Sequence, residues 1–487
     1  NFFTSETDLQ LYCNQYYTHL PVQNFLNADD NSDDKAPGRI DQFLAGTYTI
    51  PSSATNTAWD FTFNRTLNFF LANYAAANIS DSTKNIYVGE TLFFRAMDFW
   101  TKVKTFGDVP YINTYITDTS TSELYGARMP HKQVMDSVLN DLNFAVSHLP
   151  EPAAAADGRL NKFMALALKA RICLWEGTYR KYRHLGDEAP FLEAALDASN
   201  QIINSGLYNI YTTGHPETDY YNLFIQEELR GNPEAIMPMR YLPVVLMNGI
   251  DRSLGEANDG YSKDFVRSFL CTDGLPASMS PLYKGDDSLD AEIKNRDPRF
   301  HQMIATRGFV FLEGDTIRLP RIGTTVAPTG YQPVKGRSSS IAAWNANAST
   351  YDFFIFRYAE TLLVYAEAKA ELANQAGGTF GQGDLDMSIN LLRDRVGMTH
   401  LKMNAPVDPA LAAKYPLVTG SLQNIILEIR RERRVELASE GFRFDDLNRW
   451  LAGNVINNPE TILGMKLLPS VRAQYPPNQV SSIVTDA

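Results

Sequence analysis

Apolar residues return every third or fourth position along much of this chain, the spacing that lines one face of an α-helix. Residues 2–17 read as a first helix with Thr4 or Ser5 as N-cap, and 59–78 as a second. A stronger helix, 87–106, keeps Leu92, Ala96, Phe99 and Val103 on one stripe; Gly107 stops it and Pro110 prevents its resumption. Near the C-terminus, Leu422, Ile425, Ile426 and Ile429 predict a helix of about five turns ending near Glu440. A second helix, 443–451, follows at once, so Gly441 and Phe442 form a tight corner.

Between these ends the helices pair. In 131–150, Val138, Leu142, Ala145 and Pro150 fall at spacings of four, three and five, the cadence of the second helix of a tetratricopeptide unit. Residues 192–206 repeat it with Ala198, Ile202 and Ser205, and 161–179 is a helix rich in small residues. Segments 356–372 and 386–396 form another pair across the glycine-rich stretch 376–383. The expected fold is therefore mainly α: one discontinuous tetratricopeptide-repeat scaffold, chiefly 90–206 and 353–453, in a single body spanning 1–487. Residues 27–58 and 207–352 lose the helical period and gain Gly, Pro, Asn and Tyr, as a loop-rich region with short strands would.

Charge changes this picture in two places. Arg433, Arg434, Glu436, Glu440, Arg443, Asp446 and Arg449 are interleaved with Leu437, Leu447 and Trp450 instead of occupying a separate face. That pattern predicts partly buried ion pairs, and the neighbouring arginines keep Glu436 and Glu440 ionised, which disfavours an acid/base pair. Asp29 to Asp34 is the densest acidic run; an EF-hand register would need Gly at 34 and Glu at 40 where the chain has Asp34 and Ile40, so it reads as a solvated turn.

Formal charge is −12 and no Lys/Arg run stands outside the corner, which argues against a nucleic-acid partner. Cys13, Cys173 and Cys271 are too scattered for a disulfide framework. The seven histidines include no pair at i,i+3 or i,i+4, so no metal site and no cofactor is implied. No GxSxG, HExxH, Walker A or GxGxxG motif is present. No apolar run approaches a membrane span of roughly 18 residues.

Glu432-Arg-Arg-x-Glu-Leu-x-x-Glu-Gly-x-Arg-x-x-Asp-Leu-x-Arg-Trp450 resembles the C-terminal signature of the SusD/RagB family. Gly89-Glu-x-x-Phe-x-Arg-Ala-x-x-Phe99, Phe106-Gly-Asp-Val-Pro-Tyr111, Asp273-Gly-Leu-Pro276 and Asn295-Arg-Asp-Pro-Arg299 resemble the same family. The likeness runs from residue 2 to about 469 and lacks the family's usual closing strand. It implies a non-catalytic cell-surface protein, lipid-anchored to the outer membrane through a segment preceding residue 1. Such a protein delivers oligosaccharide to a SusC-like TonB-dependent transporter. A peptide ligand is the alternative, and a helical glycoside hydrolase and a repeat adaptor are the rivals from other classes.

A sugar site needs aromatic faces beside hydrogen-bonding groups. Tyr48 near Asp29 and Asp30, Tyr241 beside Arg240, Asn258 with Tyr261, Tyr220 with Tyr221, and Trp344 beside Asn345 are the available clusters. Tyr48, Tyr241, Asn258, Tyr261 and Trp344 are the candidate ligand-binding residues, on loops 27–58, 240–261 and 330–350.

Overall fold

The computed structural model describes residues 3–476 except 23, 39–40, 51–56, 257–258, 316–318, 321, 323–325, 347 and 377. The chain forms two compact units: Asn1–Pro21, Thr49–Glu176 and Ala194–Ser205 make the first, and Val22–Tyr48, Gly177–Glu193 and Gly206–Ala487 the second. Among the described residues no helix is long and apolar enough to cross a membrane.

The first unit contains α1 (Glu6–Asn14), α2 (Thr62–Asn73), α3 (Asp81–Phe106) and α4 (His131–His148), and shares α5 (Lys162–Tyr182) and α6 (Ala189–Asn204) with the second. Ser5 opens α1 with a capping box: its hydroxyl accepts the Asp8 N–H at 3.3 Å while the Asp8 carboxylate accepts the Ser5 N–H at 3.0 Å. The long α3 packs along α4. Gly89 permits the close approach, since a Cβ there would lie 3.3 Å from Leu149 Cγ, and Arg95 clamps Asp141 through two bonds of 2.7 Å. Val138, Leu142 and Ala145 on α4, and Ala198 and Ile202 on α6, are fully buried, so the repeat cadence marks the packed faces.

In the second unit lie β1 (Ala235–Met239), α7 (Ile250–Glu256), the single turn α8 (Ile341–Trp344), β2 (Phe353–Arg357), α9 (Tyr358–Ala376), α10 (Ile389–Arg395), α11 (Gln423–Glu436) and α12 (Arg443–Arg449). The two strands pair antiparallel, with register shifts beside Pro238, which has no N–H for the ladder. Phe25, Phe224, Tyr261, Phe265, Phe300 and Phe353 belong to its core. Fully burying a side chain of this kind contributes about 1.5–3 kcal/mol.

Two sequence expectations change here. Helix α11 ends at Glu436, not near Glu440. Tyr220 Oη and Arg357 Nη2 donate to the Glu436 carbonyl at 2.6 and 2.9 Å, and Lys335 Nζ donates to the Ala438 carbonyl at 2.9 Å. These tertiary donors satisfy the terminal carbonyls, and Ser439 and Gly441 take positive φ values of 61° and 82° to turn the chain.

The acidic run is likewise no solvated turn, because Asp29, Asp33 and Asp34 are buried. Arg443 Nε and Arg434 Nε bind Asp33 and Asp34 at 2.6 Å each, and the Arg443 N–H donates to Asp29 at 3.0 Å. Lys35 Nζ lies 2.9 Å from Asp259 and 3.7 Å from Asp30 and donates to the carbonyls of Phe25 and Leu26. The loop supplies the counter-charges that the arginine-rich corner requires.

Candidate ligand-binding face

Trp344 is the expected site residue that is half-buried on a rigid seat. Ser340 caps its turn by accepting the Ala343 N–H at 3.3 Å. The indole covers Gly255 on α7 so closely that a Cβ there would lie 2.0 Å from Cζ3. The Arg337 guanidinium sits 5.1 Å from the ring centroid, a cation–π contact. Arg337 is held in turn by the Phe311 carbonyl at 2.8 Å and lies 4.8 Å from the Phe311 ring, while its own carbonyl accepts the Tyr221 hydroxyl at 2.5 Å. Buried Asp251 accepts from the Ser338 N–H at 2.6 Å and hydroxyl at 2.8 Å, fixing this segment to α7.

Polar residues neighbour Trp344 and Gly255 along the chain. Asn345 is exposed, and the exposed Arg252 and Glu256 of α7 pair at 3.1 Å. A second tie, reciprocal N–H to carbonyl bonds of 2.9 Å between Asn248 and Ser349, joins the chain after Trp344 to the loop before α7. That loop exposes Leu242, Val244, Val245, Leu246 and Met247, with Val244 91% exposed and at φ 67°.

The other candidates are placed differently. Tyr48 is 53% exposed, but Asp29, expected beside it, is committed to the arginine corner. Tyr241 is buried, its N–H bonded to Asp352 at 2.7 Å and its ring 5.1 Å from Phe353. Tyr261 is fully buried, stacked 4.6 Å from Phe265 with its hydroxyl 2.8 Å from Ser439 Oγ. Both are therefore corrected from exposed platforms to core residues, because polar loop surroundings in sequence do not reveal which way a ring turns. Asn258 lies outside the described residues. Tyr220 is buried under Glu436. Arg337, Gly255 and Asp251 escaped sequence reading, since neither period nor motif marks them.

The charged corner is buried and internally paired. Glu436 accepts from Arg395 at 2.6 Å, Arg357 at 2.7 Å and Arg299 at 3.0 Å. Burial pushes its carboxyl up, but Arg395, Arg357 and Arg299 together hold it well below the usual range. Glu440 is bound by Lys335 and Arg357 at 2.6 Å each, and Arg449 binds Glu367 at 2.5 Å. Among the described residues, no group of three His, Cys, Asp or Glu side chains is placed to hold a metal ion.

Comparison with known proteins agrees with this architecture. SusD-like protein P2 of Formosa agariphila is 23% identical over 94% of this chain and 86% of its own length. A SusD-like protein of Bacteroides fragilis superposes with a TM-score of 0.72 at 23% identity, covering 93% of this chain and 88% of the other. A structure titled a SusD-like carbohydrate binding protein, also from Bacteroides fragilis, gives 0.71 at 21% identity over 93% and 88%. Residues 14–174 match a family described as starch-binding and associating with the outer membrane. The SusD family model matches residues 237–481, half of the chain and the part that carries both the arginine-rich corner and the Trp344 seat, and the chain belongs to the SusD family.

Proposed function

We propose that this protein captures oligosaccharide at the outer face of the outer membrane, where an N-terminal lipid anchor holds it, and passes the ligand uncut to a SusC-like TonB-dependent transporter. The observation that carries the reading is the half-buried Trp344 indole, seated on Gly255 and Arg337, with exposed Arg252 and Glu256 on the same helix as Gly255 and exposed Asn345 next in the chain. Apolar C–H faces of a sugar ring pack on such a platform while its hydroxyls exchange hydrogen bonds with polar neighbours. The family description of the N-terminal match supports a glycan ligand and the membrane location. The non-catalytic role is supported by Glu436 and Glu440, two carboxylates of the signature whose oxygens are bound by buried cations.

One stacked ring with a few hydrogen bonds gives micromolar or weaker affinity, which suits a protein that must release its ligand. Calorimetric titration with a panel of neutral oligosaccharides and peptides tests the proposal. Trp344→Ala is expected to weaken glycan binding about tenfold or more without changing Tm. Unchanged glycan affinity in that variant, or binding of peptides alone, refutes it.

A further inference from the structure

A cavity of about 420 Å³, apart from the Trp344 seat, opens where α5 ends, lined by Lys181, Tyr182, His184, Glu188, Leu417 and Thr419. Its volume falls within the roughly 300–1,000 Å³ of small-molecule sites. Three of the four residues 184–187 adopt positive φ: His184 at 54°, Gly186 at 74° and Asp187 at 58°. Such conformations are uncommon outside glycine, and at His184 the left-handed backbone closes the end of α5. The loop is nonetheless defined, since the His184 and Leu185 N–H groups close onto the carbonyls of Lys181 at 3.1 Å and Arg180 at 3.0 Å.

The cation of the wall is Lys181. Lys181 Nζ donates to the main-chain oxygen of Glu371 at 3.0 Å and to its Oε2 at 2.7 Å. An ammonium carries three hydrogens; the third has no acceptor among the described residues, and the side chain is 14% exposed. Buried Glu371 also receives the Tyr182 hydroxyl at 2.6 Å and lies 3.5 Å from Arg430, so it is shared between two cations. Of the charged side chains that line the cavity, Lys181 is positive and Glu188 negative, with the His184 imidazole between them in sequence. Leu417, 45% exposed, adds an apolar wall, and Thr419 a hydroxyl.

We propose that this cavity is a second saccharide subsite, selective for a sugar residue that bears a carboxylate. The carboxylate meets the free hydrogen of Lys181 and the His184 ring, and the sugar body rests on Leu417. The choice of a saccharide over another carboxylate rests on the proposed glycan-binding function.

Two probes of one ring shape test it: D-glucuronate and neutral D-glucose, followed by NMR of the labelled His184 imidazole and Trp344 indole. Glucuronate is expected to shift His184 while glucose does not. Glu188→Gln should tighten glucuronate binding by removing a like charge. Lys181→Gln should weaken it about tenfold, as loss of a charge-assisted bond does; should that variant fail to fold, His184→Asn, which tolerates positive φ, is expected to weaken it in the same direction. Equal responses to both sugars, or a glucuronate shift confined to Trp344, overturns the subsite. A selective His184 response in a protein that binds no neutral oligosaccharide supports the subsite while sinking the Trp344 reading.

Discussion

Arg299, Arg357 and Arg395 converge on the one carboxylate of Glu436, and Arg357 and Lys335 on that of Glu440. Removing one member leaves a buried opposite charge without its partner, which costs about 3–5 kcal/mol. Glu440→Ala is therefore expected to lower Tm markedly; a melt unchanged beside lost glycan affinity would reassign the corner to the site. Asp29 titrates in the opposite sense. Burial, with help from the charge of Asp34, raises its carboxyl from 3.8 to about 7. Between about pH 4 and pH 7 the folded protein thus holds a proton that the unfolded chain has released, so this contribution to stability falls across that window and levels off above it. Half-buried Asp30, raised to about 7, acts in the same direction. Urea midpoints measured across the window should decline with pH from this source, and Asp29→Asn should flatten the decline; an identical slope in the variant contradicts the assignment.

Among the elements, α7 links the stability of the second unit to its candidate site. Gly255 lies in the last turn of α7, one residue before its end, with no left-handed φ that would require glycine, and alanine is the better helix former. Its Cβ would nevertheless stand 2.0 Å from Trp344 Cζ3, so the indole must move. Gly255→Ala is expected to lose glycan affinity as Trp344→Ala does while keeping a near-native Tm. Wild-type affinity in the variant would show that the seat does not position the ring. Helix α11 illustrates how an element's end escapes its own pattern: its apolar period continues past Glu436, but side chains from Tyr220, Lys335 and Arg357 take the carbonyls first.

For the whole molecule, the reading as a delivery protein requires that bound glycan leave unaltered. Prolonged incubation of homogeneous protein with an oligosaccharide it binds should leave the chain-length distribution unchanged. Shorter products, lost on replacing one Asp or Glu, would move the answer to a glycosidase. Delivery also needs a stable interface, typically burying about 1,200–2,000 Å². Co-purification of lipid-anchored protein from solubilised outer membranes is expected to bring a large β-barrel transporter with it; recovery without one would count against delivery.

Helical periodicity, the tetratricopeptide cadence at Val138, Leu142 and Ala145, and the interleaved charges after Arg433 were enough to read the mainly helical class and a buried ionic corner from the sequence. Those features are local: each is written within a few turns, where side-chain spacing maps onto one face. The partners of the corner were not legible, because Asp34 reaches Arg434 across 400 positions and nothing local distinguishes a buried aspartate from a solvated one. For the same reason Tyr261 and Trp344, alike in their loop surroundings, diverged. Packing against Phe265 took one ring into the core, while the other lies half-buried over Gly255, a glycine far away in sequence. Only the tertiary structure decided which aromatic kept part of its surface open, since exposure in an aperiodic segment depends on what packs behind it.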